Sequence, residues 1–166
     1  DHRDLHSFPT RRSSDLLCGA ALPARAGSVP TVSSRQLQER IHDRSGRPLV
    51  LVYWASWCTP CRHYKEKLAT LLAAYPDRPF DMLAVALDTD AQRVEAYLAR
   101  APLPYPAVLA DPSLMAALGG TPVPTTGLYR GDGSQARRFS GDVAQERLNY
   151  YVGKLLEQEA APPARP

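Results

Sequence analysis

Two cysteines separated by two residues, in the run Trp57-Cys58-Thr59-Pro60-Cys61, are the side chains of this sequence best placed to do chemistry. An apolar run precedes them and an amphipathic stretch follows, which puts Cys58 at the start of a helix. Unpaired backbone N–H groups and the positive end of the helix dipole stabilise an anion there. A thiolate is such an anion and is the attacking species in disulfide exchange, so the site is expected to ionise Cys58 more readily than a free thiol. Cys58 is the expected nucleophile. Cys61, one turn on and expected to sit deeper, is the expected resolving thiol. Pro60 suits a first helical turn because it needs no N–H partner there. Two blander readings stay open. Half of a zinc site would need further ligands, and beyond residue 26 only His42 and His63 are further candidates of the soft kind. A purely structural disulfide would close too small a loop to constrain the unfolded chain much.

The elements that must hold this pair are legible in the apolar pattern. Ser33-x-x-Gln36 offers a capping box, with Val32 placed to staple onto Leu37, so a first helix is expected from there to about Ser45-Gly46. Leu49-Val50-Leu51-Val52-Tyr53-Trp54 is a continuous apolar run that suits a strand buried on both faces. After the cysteines, Tyr64, Leu68, Leu71, Leu72 and Tyr75 fall on one face of a 3.6-residue period, with Lys and Glu opposite. Phe80 to Leu87 reads as a second buried strand, and Thr89-x-x-Gln92 as the cap of a third helix bearing Val94, Tyr97 and Leu98. This βαβα order is that of a parallel sheet covered by helices. Pro102 to Pro106 is a loop, Ala107-Val108-Leu109 a short strand, and Asp111-Pro112 the start of a short helix stopped by Gly119-Gly120. Thr125 to Tyr129 and Gln135 to Phe139 form an expected hairpin across Gly131-Asp132-Gly133. A last helix is expected after Asp142, with Leu148, Tyr151, Val152, Leu155 and Leu156 as its core stripe.

The chain has 166 residues, 44% hydrophobic and 22% charged, with a formal net charge of +3, which fits one ordinary globular domain. Residues 1–16 resemble the translation of a short-read sequencing adapter and are set aside as an artefact, expected to be disordered. Their three acids (Asp1, Asp4, Asp15) and three bases (Arg3, Arg11, Arg12) cancel, so the net charge is unaffected. Residues 17–26 resemble the end of a secretory signal: apolar residues, Pro23, then small Ala24 and Ala26. Cys18 would leave with it, and a lipoprotein reading of Cys18 suffers from Leu16 and Leu17 just before it. The charged start of such a signal is expected to have been overwritten by residues 1–16, and any membrane anchor is expected in the segment before it. Residues 27–32 are read as a linker, 33–158 as the domain and 159–166 as a disordered tail. No stretch approaches the roughly 18–20 apolar residues that cross a bilayer. The bases are scattered without interleaved aromatics, so nucleic acid binding has little support.

Trp54-Ala55-Ser56-Trp57-Cys58-Thr59-Pro60-Cys61-Arg62 resembles the active-site stretch of thioredoxin-like proteins, especially the exported TlpA/ResA-like group. Gly120-Thr121-Pro122-Val123-Pro124-Thr125-Thr126-Gly127-Leu128-Tyr129 is similar to that family's loop and strand facing the cysteines. The resemblance covers about residues 33–158. It implies an α/β fold, a thioredoxin-like three-layer α/β/α domain with a mixed central sheet. The segment between Phe80 and Ala101, with 100–118 after it, corresponds to what the TlpA/ResA-like group adds to a minimal thioredoxin. The resemblance makes Pro124 the implied cis-proline, with Trp57, Val123, Pro124 and Thr125 as substrate contacts. It implies a thiol–disulfide oxidoreductase acting in the periplasm or elsewhere outside the cytoplasm. Protein disulfides and dithiols are its expected substrates and a membrane protein its upstream electron donor. It is expected to act as a monomer and a reductant, with no cofactor and no metal.

Two departures from the family pattern stand out. Val52 occupies the position of a buried Asp, and Tyr64 that of a Glu three residues after the second cysteine. Both familiar proton acceptors for the resolving thiol are missing, which leaves His63, Glu66 or Asp88 by way of water as candidates. Trp54 is expected in the core and Trp57 over the dithiol. Two other classes compete. A thioredoxin-fold peroxidase wants Thr three residues before its reactive cysteine, where Ala55 stands. A metal-delivery module of the Sco type wants C-x-x-x-C and a distant C-terminal His, and no His follows His63.

Overall fold

A computed structural model describes residues 28–43 and 46–160. The expectations for residues 1–16 and 17–26, Cys18 included, and for 161–166 lie outside the described residues. In chain order the described elements are β1 (Thr31–Val32), α1 (Ser34–His42), β2 (Leu49–Trp54), α2 (Thr59–Ala73), β3 (Asp81–Ala86), α3 (Ala91–Arg100), β4 (Ala107–Ala110), α4 (Pro112–Leu118), β5 (Thr125–Tyr129), β6 (Gln135–Ser140) and α5 (Gln145–Ala160).

The strands form one sheet in the order β1-β4-β3-β2-β5-β6. β2 pairs in parallel with β3, and β3 with β4, through crossovers that carry α2 and α3. On its other side β2 pairs antiparallel with β5, which turns back as β6. The sheet is therefore mixed, and its middle strand is the one that leads into the cysteines.

Because strand side chains alternate between faces, β2 divides its six buried residues between two cores. Val50, Val52 and Trp54 join Met82, Ala84 and Ala86 of β3 in a core closed by α2, α3 and α5. Leu49, Leu51 and Tyr53 join Leu83, Val85 and Leu87 in a second core closed by Leu37 and Ile41 of α1 and Leu114 of α4. The result is the expected three-layer α/β/α arrangement. A fully buried Leu or Val is worth roughly 1.5–3 kcal/mol, so the six buried residues at 49–54 contribute substantially to stability.

The caps follow the sequence closely. Ser33 and Gln36 form the capping box reciprocally, at 3.2 and 2.9 Å. Asp111 accepts from the Leu114 N–H at 2.8 Å, Pro112 opens α4, and Gly119 ends it in a left-handed conformation at φ 54° that a side chain would resist. Three expectations need correction. The helix at 91 is capped by Asp90, not Thr89: the Asp90 carboxylate accepts from the Gln92 N–H at 3.0 Å and adjoins the first helical residue. Thr31–Val32, read as linker, form β1 beside Leu109–Ala110, a pairing too short to leave a periodic signal. Residues 159–160, read as tail, belong to α5.

Candidate functional site

β2 ends at Trp54, and the chain crosses to α2 in four residues. Asp88, just beyond β3, fixes that crossing. Its carboxylate is buried and accepts from the Ser56 N–H at 3.0 Å and the Ser56 hydroxyl at 2.5 Å. The parallel pairing continues through Leu87, whose N–H donates to the Trp54 carbonyl at 2.7 Å. The Cys58 N–H donates to the Ala55 carbonyl at 3.2 Å, closing the turn.

Cys58 is the N-cap of α2, in extended conformation, with Pro60 in the first turn. Its sulfur accepts from the Cys61 N–H at 3.2 Å, the bond a capping oxygen would make. The backbone thus directs a donor at the atom that would carry negative charge. The two sulfurs are joined in a disulfide of 2.12 Å, with Cα atoms 5.3 Å apart. One expectation fails: Cys61 is not the deeper of the two, because Cys58 is 3% and Cys61 6% exposed. The loop before β5 comes down over Cys58 and covers it. The Val123 carbonyl oxygen lies 3.6 Å from Cys58 Sγ, and the Val123–Pro124 peptide bond is cis.

The remaining expected site residues fall into two groups. Trp57, 62% exposed, and half-buried Val123 present surface beside Cys58. Pro124 and Thr125 are buried beneath them. The Pro124 carbonyl accepts from the Gly141 N–H at 2.8 Å, and the Thr125 hydroxyl donates to the Pro122 carbonyl at 2.7 Å. Thr125 has no accessible side-chain surface, and its hydroxyl braces the loop.

Beneath Cys61 lies a small apolar pocket walled by Val52, Trp54, Tyr64, Tyr97, Tyr105 and Pro124. The two departures from the family pattern, Val52 and Tyr64, are both in this wall. The Tyr64 hydroxyl shares a 2.8 Å hydrogen bond with Thr126, across 62 positions of sequence. Trp54 is in the core as expected, tilted against Tyr97 at 5.1 Å between centroids, and its indole N–H is buried without an acceptor among the described residues. None of the three candidate proton acceptors reaches the pocket. His63 and Glu66 are exposed on α2, and Asp88 is committed to Ser56. His42, the other zinc candidate, ends α1 beside Gly133. Sequence reasoning missed Ser56 as the partner of Asp88. It also missed Lys65, which lines the pocket and stands four residues after Cys61, a same-face spacing that the sequence did contain.

Burial controls the acid–base behaviour of the wall. Desolvation pushes the Tyr64 hydroxyl from 10.0 up to about 12, against a smaller opposing effect of its Thr126 bond. Burial likewise pushes Tyr53 to about 12 and raises Tyr105 and Tyr129. The folded chain therefore keeps protons that the unfolded chain has already lost. Stability is intact below pH about 10 and falls as pH rises through about 12, by up to roughly 2–3 kcal/mol each for Tyr53 and Tyr64. Chemical denaturation across that window should show the fall, with a smaller loss in Tyr64→Phe. An unchanged slope in that variant would remove Tyr64 from the effect.

A family model described as Redoxin matches residues 19–134. The chain is 26% identical over 119 residues to the thiol-disulfide oxidoreductase ResA of Geobacillus thermodenitrificans, covering 71% of this chain and 68% of that one. Among solved structures it is similar to StoA from Bacillus subtilis, at 25% identity and a TM-score of 0.57, covering 66% of this chain and 85% of that one. It is also similar to a putative thiol:disulfide interchange protein DsbE from Chlorobium tepidum, at 25% identity and a TM-score of 0.63, covering 78% and 92%.

Proposed function

The chain belongs to the Redoxin family, with the TlpA/ResA-like thioredoxin fold of a thiol–disulfide oxidoreductase, and from that premise we propose that it reduces protein disulfides outside the cytoplasm. Cys58 attacks a substrate disulfide, and Cys61 resolves the mixed disulfide, leaving the Cys58–Cys61 bond. The observation that carries this reading is the disulfide at the N-cap of α2, with a backbone N–H donating to Cys58 Sγ and the Val123 carbonyl 3.6 Å from it. Burial does not separate the two thiols, but the cap position does. Only Cys58 occupies the point where the free N–H groups of the helix converge.

Trp57 and Val123 form the rim that meets the substrate peptide, and Pro124 and Thr125 support that rim from below. The signal-like residues 17–26 and the ResA relatives support an extracytoplasmic site of action. An exported reductant needs electrons from across the membrane, so a membrane-bound dithiol donor is its proposed upstream partner. Protein dithiols and disulfides are its substrates, and the working unit is a monomer.

Direction is the part open to a single decisive reading. Equilibration of the protein against buffers of known potential should place the Cys58–Cys61 pair near the reducing end, roughly −270 mV as in thioredoxins. A value near the oxidising end, about −120 mV, would replace the reductant assignment with that of an oxidase or isomerase.

A further inference from the structure

The pocket beneath Cys61 holds no carboxylate among the described residues, yet a resolving thiol must ionise before it can attack. Its titratable neighbours come from three elements. α2 contributes Tyr64 and Lys65, with Cys58 at its cap; α3 contributes Tyr97; the loop before β4 contributes Tyr105. Tyr64 and Tyr105 are held neutral by burial, and Tyr64 is bonded to Thr126. β2 and β3 supply only Val52, Trp54 and Ala84. Lys65 is the one basic side chain among the described residues of the wall.

Lys65 and Cys61 line the same pocket, and two rules of helix geometry and one contact place that charge on the Cys61 side of α2. Residues four apart on a helix share a face, with Cβ atoms roughly 5–6 Å apart. Long helical side chains lean toward the preceding turn, which for Lys65 is the turn that bears Cys61. The Lys65 ammonium sits 5.3 Å from the centre of the Tyr97 ring, and that ring is itself part of the pocket wall. Tyr97 thus tethers the half-buried lysine at the pocket through a cation–π contact. No carboxylate pairs with it among the described residues, so its field is not cancelled locally.

We propose that Lys65 is a positioning residue for the resolving step, its ammonium stabilising the Cys61 thiolate in place of a carboxylate that would accept the Cys61 proton. This rests on the reading of Cys61 as the resolving thiol. In the step, Cys61 Sγ–H gives its proton to solvent water, and the thiolate attacks Cys58 Sγ of the mixed disulfide. The bond between Cys58 and the substrate sulfur breaks and the Cys58–Cys61 bond forms. The substrate sulfur leaves as a thiolate that takes up a proton. The dithiol has been oxidised and the substrate disulfide reduced by two electrons.

The test follows alkylation of Cys61 against pH in a Cys58→Ser background, read on the Cys61 peptide by mass spectrometry so that Cys18 does not interfere. Lys65→Gln keeps much of the stem and removes the charge; Lys65→Arg keeps the charge. Lys65→Gln is expected to move the Cys61 profile up by about one pH unit, the low end for a nearby opposite charge because Lys65 is only half-buried. Alkylation near neutral pH should then slow about tenfold. Lys65→Arg should stay within a few-fold of the parent. Superposable profiles for Lys65→Gln and parent would overturn the proposal, and so would an equal shift in both variants, which would assign the effect to packing of the stem. Failure of the wild-type protein to exchange disulfides would instead remove the oxidoreductase reading, an outcome read separately by insulin reduction with the wild-type protein.

Discussion

Cys58→Ser is expected to lower disulfide exchange by roughly a thousandfold or more while leaving the fold intact. Serine is a good N-cap, so its hydroxyl can accept the Cys61 N–H that now bonds Cys58 Sγ at 3.2 Å, and helix α2 keeps its first turn. The hydroxyl does not ionise near neutral pH, so the attacking anion is lost. Cys61→Ser should behave differently: attack by Cys58 proceeds, the mixed disulfide accumulates, and turnover stalls at the second step. Insulin reduction followed by turbidity, with circular dichroism as the check on folding, measures both. Near wild-type exchange by Cys58→Ser would mean that the other thiol attacks.

The second large effect concerns the platform beneath the cysteines. Leu68 is 1% exposed and lies on the same face of α2 as Cys61 and Tyr64, at the base of the pocket. Leu68→Ala removes three carbons from a site braced by a rigid sheet, so collapse of the neighbours is limited. The expected loss is about 2–5 kcal/mol, a large part of the roughly 5–15 kcal/mol that holds such a domain together. Urea unfolding of the oxidised variant should show a lower midpoint with little change in slope. A loss below about 1 kcal/mol would mean that the core over α2 can close around the deletion.

Local chemistry explains what was legible beforehand. The run at 49–54, the Ser33 capping box, the Asp111-Pro112 start and the cysteine spacing each write their signal within a few residues. The family resemblance added the position of Pro124. What was missed depends on distant partners or on very short ones. β1 is two residues long and exists because Leu109–Ala110 accept it. The Asp88 bond to Ser56 spans 32 positions and the Tyr64 bond to Thr126 spans 62, with no periodicity to announce either. Both cysteines are buried, Cys58 no less than Cys61, because the Val123–Pro124 loop covers Cys58, a fact of tertiary packing. The Thr89-x-x-Gln92 pattern pointed to Thr89 as the cap, but Asp90, the residue adjoining the helix, took the position. The loss of family acids at Val52 and Tyr64 was readable; that Lys65 lies beside the gap required the fold.

The most direct test of the assignment is to trap the mixed disulfide itself. A Cys61→Ala variant exposed to extracytoplasmic proteins should accumulate a covalent partner, and mass spectrometry of the linked peptides should place the bond on Cys58. Equal capture of that partner by Cys58→Ala, through Cys61, would contradict the assignment of the attacking sulfur.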